Sequence, residues 1–133
     1  VKGKELALAQ YQAGCDVVYH AAGGSGIGVI AAAAEQQKWV IGVDSDQYLS
    51  ATAEEQPWVL TSMLKNVDVA VYDTIDKFLK GTFVGGYSSY NLAQGGVGYS
   101  TSNTLLTAAM IAKMEEAKAL IISGAIVVPT APE

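Results

Sequence analysis

The sequence holds one cysteine and one histidine in 133 residues, and it has little charge. A lone Cys15 excludes an intrachain disulfide and a metal site of the CxxC kind, and it leaves the redox compartment open. Only 16% of the residues are charged, 8 basic against 13 acidic, for a net charge of -5. The lysines are scattered rather than gathered into a stripe, which argues against nucleic acid as a partner and against a polybasic membrane anchor. No run approaches the roughly 18 apolar residues of a membrane-spanning helix, and Val1-Lys2-Gly3-Lys4-Glu5 lacks the sections of a signal peptide. These residues read as the opening of a helix. Without an initiator Met, the chain looks like a piece of something longer, whose missing amino-terminal part is where a targeting signal would lie. What is present is a 50% hydrophobic content in a length suited to one domain, enough to build a core.

The pattern predicts a short helix from Lys4 to Gln12, stopped by Gly14, and a buried strand from Asp16 to Tyr19. A glycine loop at 23 to 28 then feeds an alanine-rich helix from Val29 to Gln36, and Trp39 to Val43 reads as the next strand. Alternating helices and strands with short connections imply an α/β fold with a parallel sheet and right-handed crossovers. Asp44 to Pro57 reads as a polar surface loop, Trp58 to Met63 as a strand, and Asn66 as the cap of a helix that reaches Leu79 and ends at Gly81. The tyrosines Tyr87 and Tyr90 give 85 to 92 a β pattern, and 95 to 99 reads as a tight turn or short strand. A last helix is expected from Asn103 to about Ile122, then a break at Gly124 and an extended piece from Ala125 to Pro129. With no internal repeat and no low-complexity linker, residues 1–133 read as a single α/β lobe, and the element count suits half of a two-domain protein.

Two strand ends carry the chemistry. Ile41-Gly42-Val43-Asp44-Ser45-Asp46-Gln47 switches from apolar to acidic at its tip, where open α/β sheets place ligand-binding groups. Asp16-Val17-Val18-Tyr19-His20 runs into Ala21-Ala22-Gly23-Gly24-Ser25-Gly26-Ile27-Gly28, a loop that lets backbone approach a ligand. A dinucleotide site is one reading, because Asp44 follows Gly24 at about the offset of a ribose-binding acid. The glycines, however, spell GxGxG rather than GxGxxG, and a plain chain-reversing turn is another reading. Asp44 and Asp46, two apart in an extended segment, would face one pocket. They lack a third oxygen for a metal and a nucleophile for catalysis, so acceptance of vicinal hydroxyls is the simplest use, with Asp46 alternatively a turn former. Lys65 lies at an element boundary and is either solvated or directed at the site. His20 reads more readily as a core histidine than as a ligand or base. Tyr19 and Trp39 are core or a stacking surface, and Cys15 is a small buried hydrophobe.

Several strings together resemble one family. Gly3-Lys4-Glu5-Leu6-Ala7-Leu8-Ala9-Gln10-Tyr11, the Asp16 to Gly26 segment, Gly42-Val43-Asp44-Ser45-Asp46-Gln47 and Leu60-Thr61-Ser62-Met63-Leu64-Lys65-Asn66-Val67-Asp68 are similar to the basic membrane proteins. These are substrate-binding lipoproteins of ABC importers and include purine nucleoside receptors. The likeness continues in Gly95-Gly96-Val97-Gly98 and in Ile122-Ser123-Gly124-Ala125-Ile126-Val127-Val128-Pro129. It implies a three-layer, parallel-sheet lobe of a type I periplasmic binding protein, the carboxy-terminal of two lobes that close on a ligand, with the amino-terminal lobe absent. It also implies a non-enzymatic protein that needs no cofactor, binds a nucleoside, docks on an ABC permease, and is lipid-anchored at the cell surface or in the periplasm. By this resemblance Asp44 accepts ribose hydroxyls, with Asp46 beside it, and Lys65 reaches the ligand. The backbone of Gly23, Gly24, Ser25 and Gly26 lines the cleft, and Tyr19 or His20 offers a stacking contact. A Rossmann-like enzyme fragment and the ligand-sensing domain of a regulator are the competing readings.

Overall fold

A computed structural model describes residues 2–129 and 131. The helices are α1 (Lys2–Gln12), α2 (Gly26–Gln36), α3 (Gln47–Ser50), α4 (Val67–Leu79) and α5 (Ala108–Ile122). The strands are β1 (Val17–Tyr19), β2 (Trp39–Asp44), β3 (Val59–Lys65) and β4 (Val97–Tyr99), which form one sheet in the order β1-β2-β3-β4. β1 with β2 and β2 with β3 run parallel, as the alternation of helix and strand requires. Two compact units result, Val1–Lys65 with Gly98–Leu106 and Asn66–Val97 with Thr107–Glu133.

The first unit contains the core. Val18, Val40 and Val59 contribute one buried side chain from each parallel strand, Val29, Ile30, Ala32 and Ala33 cover them from α2, and Ala7 and Tyr11 follow from α1. Each buried valine adds about 1.5 kcal/mol of transfer free energy, and the alanines allow α1 and α2 to lie against each other. Tyr11 is the one long polar side chain in this cluster. Its hydroxyl donates to the Trp39 carbonyl at 2.8 Å, and burial, with a smaller contribution from Cys15, pushes its pKa up to about 12.

Parallel pairing brings the carboxyl-terminal ends of the strands to one side of the sheet. Tyr19 is opposite Ile41 and Asp44 opposite Leu64, with an irregularity between Val40 and Ile41. Tyr19, Asp44 and Lys65 therefore end three neighbouring strands on the carboxyl-terminal side of the sheet, with β1 stopping three residues short of the β2 tip.

The second unit is built differently. α4 and α5 bury no residue, and among the described residues of this unit only Gly96 is buried. Val67, Val71, Ile75 and Phe78 recur at helical spacing on α4 and are all exposed. The same helix carries the ion pairs Lys77–Asp73 and Lys80–Asp76. The segment expected to be a strand around Tyr87 and Tyr90 is irregular; Tyr90 instead donates its hydroxyl to Asp73 at 2.6 Å. The Lys77 ammonium first, and then that hydroxyl, hold the Asp73 carboxyl below the usual carboxylate range.

Other boundaries shift for local reasons. α2 starts inside the glycine loop, at Gly26, because the chain enters it through a 3-10 turn at Gly23–Ser25. The expected surface loop after Asp44 holds α3 and a second 3-10 turn at Gln56–Trp58. Asn66 holds the N-cap position of α4 but makes no side-chain cap bond; its Nδ2 donates to the Gly95 carbonyl at 2.8 Å. α5 begins at Ala108 behind a Thr107 cap, since Asn103 is buried and donates to the Val59 carbonyl at 2.8 Å. The piece after Gly124 forms no strand within its described residues. Among the described residues no helix is long and apolar enough to cross a membrane.

Candidate ligand-binding site

The tip of β2 turns sharply. Asp44 adopts a left-handed backbone with φ of +69°, which costs a non-glycine residue about 1 kcal/mol and is best tolerated by Asp and Asn. The turn is held from several sides. Ser45 N–H donates to the Val43 carbonyl at 2.9 Å, and Gln47 Oε1 accepts the Val43 N–H at 3.1 Å. Gln47 N–H in turn donates to Ser62 Oγ at 3.0 Å, and Ser62 N–H to Ser100 Oγ at 3.1 Å. Gly42 is needed beneath this arrangement. A Cβ there would sit 2.5 Å from Gln47 Oε1 and 2.6 Å from Ser62 Oγ.

The left-handed residue removes the extended geometry that would direct Asp44 and Asp46 to one side. Asp44 Oδ1 pairs with Lys65 Nζ at 2.9 Å, across the tips of β2 and β3. Asp46 is engaged elsewhere. Its Oδ1 accepts the Tyr48 N–H at 3.2 Å as the cap of α3, and its Oδ2 accepts the Ser102 hydroxyl at 2.5 Å. Asp44 and Lys65 are about half exposed, and exposed ion pairs add little to stability. The pair leaves an acceptor and a donor side by side and open to solvent at the strand tips.

On the neighbouring tip Tyr19 keeps 53% of its surface exposed while Val18 is buried. It is an open aromatic ring beside the glycine turn rather than part of the core. In that turn Gly23 has a positive φ. Ser25 N–H and Gly26 N–H return to the carbonyls of Ala22 and Gly23. Those two donors are therefore spent within the loop, which weakens the dinucleotide reading, since a phosphate cradle depends on such groups. No cluster of His, Cys, Asp and Glu suited to a metal exists among the described residues.

Sequence reasoning placed Tyr19, Gly23, Gly24, Ser25, Gly26, Asp44, Asp46 and Lys65 at strand ends; in the structure Tyr19, Asp44 and Lys65 end β1, β2 and β3, the 3-10 turn Gly23–Ser25 and Gly26 follow β1, and of these Asp44 and Lys65 are in direct contact. It missed Gln47, Ser62 and Ser100, which fix the turn. The available signal was the Thr61-Ser62 pair inside the strand Val59–Lys65. Cys15, expected to be buried, is exposed within the α1–β1 connection.

The α/β layout is the one found in ABC solute-binding proteins. Such a protein from Aeropyrum pernix superposes with a TM-score of 0.74 at 26% identity, over 98% of this chain and 45% of that one. A transcriptional activator of the comK gene from Bacillus halodurans shares the fold, with a TM-score of 0.79 at 22% identity over 94% and 43%. The model of the Bmp family, described as ABC transporter substrate-binding protein PnrA-like, matches residues 1–131, and the chain belongs to that family. Its membership is in a substrate-binding family, not an enzyme family, as the strings around the glycine turn and Asp44 led us to expect.

Among its relatives, the ABC transporter nucleoside-binding protein BmpA of Lactococcus lactis is 41% identical over 97% of this chain and 40% of its own length. The CD4+ T-cell-stimulating antigen of Listeria monocytogenes is 38% identical over 98% and 40%. Basic membrane protein A of Borreliella burgdorferi is 33% identical over 98% and 39%. The chain thus spans about two fifths of the length of the curated relatives it matches.

Proposed function

We propose that this segment is the ligand-binding part of the carboxy-terminal lobe of an ABC importer receptor, and that its strand tips hold a nucleoside, with purine nucleosides the first choice. The observation that carries the reading is the Lys65–Asp44 pair at 2.9 Å on adjacent strand tips. A carboxylate there accepts two vicinal hydroxyls of a ribose, while the ammonium both orients it and donates to the sugar or base. The open ring of Tyr19 supplies a stacking face for the base. Asp46, with both oxygens engaged, supports the turn and is a second-line contact. The nucleoside named in the Lactococcus lactis relative points the same way.

The rest of the receptor follows from this reading. An amino-terminal lobe completes the cleft, and closure of the two lobes, not chemistry, delivers ligand to a permease. The exposed apolar stripe Val67, Val71, Ile75 and Phe78 supports a covering lobe, because a unit that buries almost nothing does not hold itself together. The receptor sits outside the cell membrane or in the periplasm on a lipid anchor.

Calorimetric titration of the full-length receptor with adenosine, guanosine, cytidine, ribose and NAD tests the proposal. Nucleosides bind, purines most tightly, and Asp44→Asn weakens them at least tenfold, about 1.4 kcal/mol, while keeping the left-handed turn. Binding of NAD without any nucleoside, or unchanged affinity in Asp44→Asn, overturns it.

A further inference from the structure

His20 takes no part in the ligand contacts proposed above, yet it is placed with unusual constraint. It is 5% exposed, and its Nε2 lies 2.8 Å from Gln47 Oε1. That same Oε1 accepts the Val43 N–H, a group that can only donate, so the network assigns the atom as the amide oxygen and the proton to His20 Nε2. His20 Nδ1, on the other side of the ring, is buried without a hydrogen-bond partner. The ring is pressed against the glycine turn. A Cβ on Gly26 would lie 2.1 Å from Cε1 and 2.6 Å from Nδ1.

One imidazole thus touches the glycine turn on one side and, through Gln47, the left-handed Asp44 turn on the other. A buried polar atom left bare is unfavourable, and an apolar ring of the same size at this position would avoid it. Holding the two loops in register accounts for a histidine here. We propose that His20 is a positioning residue, which through Gln47 sets the orientation of Asp44 and with it the site's preference for ribose over deoxygenated sugars. Loss of the Nε2 proton leaves the Gln47 side chain held by Val43 alone, and the turn from Val43 to Gln47 relaxes. Asp44 then no longer presents both oxygens to vicinal hydroxyls. This inference rests on the nucleoside reading above.

The test compares adenosine with 2′,3′-dideoxyadenosine in the full-length receptor. His20→Phe keeps a ring and removes the donor, whereas His20→Gln restores an N–H near the Nε2 position. In His20→Phe the Kd for adenosine rises about tenfold and that for the dideoxy analogue changes less than about twofold, the loss of one buried hydrogen bond being of this order. His20→Gln retains the discrimination. Gln47→Met, which removes the acceptor instead, reproduces the His20→Phe result and serves if that variant does not fold. In an Asp44→Asn background, His20→Phe has no further effect on the ratio. A His20→Phe receptor that binds both ligands equally weakly, or both as before, overturns the inference while leaving the nucleoside reading intact. If Asp44→Asn leaves the ratio unchanged, the nucleoside reading fails and the inference falls with it.

Discussion

Gly26→Ala places a methyl group inside the His20 ring, and the outcome is decided by how little that ring can move. The new Cβ would be 2.1 Å from Cε1, against about 3.5 Å for a tolerable carbon contact. His20 is buried, and its Nε2 is tied to Gln47, so relief requires breaking that bond or shifting the start of α2. Overpacking of this kind costs about 1–3 kcal/mol, and a lost buried hydrogen bond adds about 1 kcal/mol. Replacing glycine by alanine at a helix start returns at most about 1 kcal/mol. The net is a destabilisation of about 1–3 kcal/mol for one methyl group. Gly24→Ala is the internal control, because its Cβ meets nothing within 4 Å, and its change stays within about 0.5 kcal/mol. Urea denaturation followed by tryptophan fluorescence reads this unit directly, since Trp39 and Trp58 lie in it with ring centroids 5.9 Å apart. If Gly26→Ala and Gly24→Ala unfold at the same urea concentration, the packing of His20 against the turn is refuted.

Two further expectations test the core and the second unit. Tyr11 has a folded pKa near 12 against 10.0 for the free group. The protonated phenol therefore supports the fold at neutral pH, and this support is lost between about pH 10 and 12, where the unfolded chain gives up its proton first. Tyr11→Phe costs about 1 kcal/mol at pH 7 through its bond to the Trp39 carbonyl and flattens the alkaline decline; an unchanged decline assigns it to other groups. On α4, Val71→Asp lowers the stability of the full-length receptor by about 2 kcal/mol or more if a preceding lobe covers the helix. A change within about 0.5 kcal/mol in a urea titration shows that the face meets water instead.

Much of the first unit was legible because its signals are local. Gly14 with φ of +100° and Gly81 with φ of +69° end helices where glycine was expected to do so. The alternation through Val17, Trp39 and Val59 defined a parallel sheet. What was hidden depends on partners far apart in sequence. Asn103 looked like the start of a helix, but its amide is taken by Val59, 44 positions away. Asn66 takes the expected cap position, but its side chain bonds Gly95, 29 positions on, rather than the helix end. At the site, the acidic string announced Asp44, while its left-handed backbone follows from Gln47, Ser62 and Ser100 acting together. The tyrosine-rich segment gave a β pattern because alternation alone does not reveal that Tyr90 has Asp73 as its partner.

The placing of three parallel strand ends on one side of the sheet has an evolutionary consequence. Tyr19, Asp44 and Lys65 project from the sheet edge, whereas the valines that hold the same strands together lie inward along each chain. If the tips hold the ligand as proposed, exchange of a tip residue changes what is recognised at little expense to folding, and ligand preference can drift among descendants of one scaffold. The His20–Gln47 link is the exception, since it joins recognition to the interior. Substitutions there would need to arise in pairs, and they mark the step at which one such receptor becomes hard to convert into another.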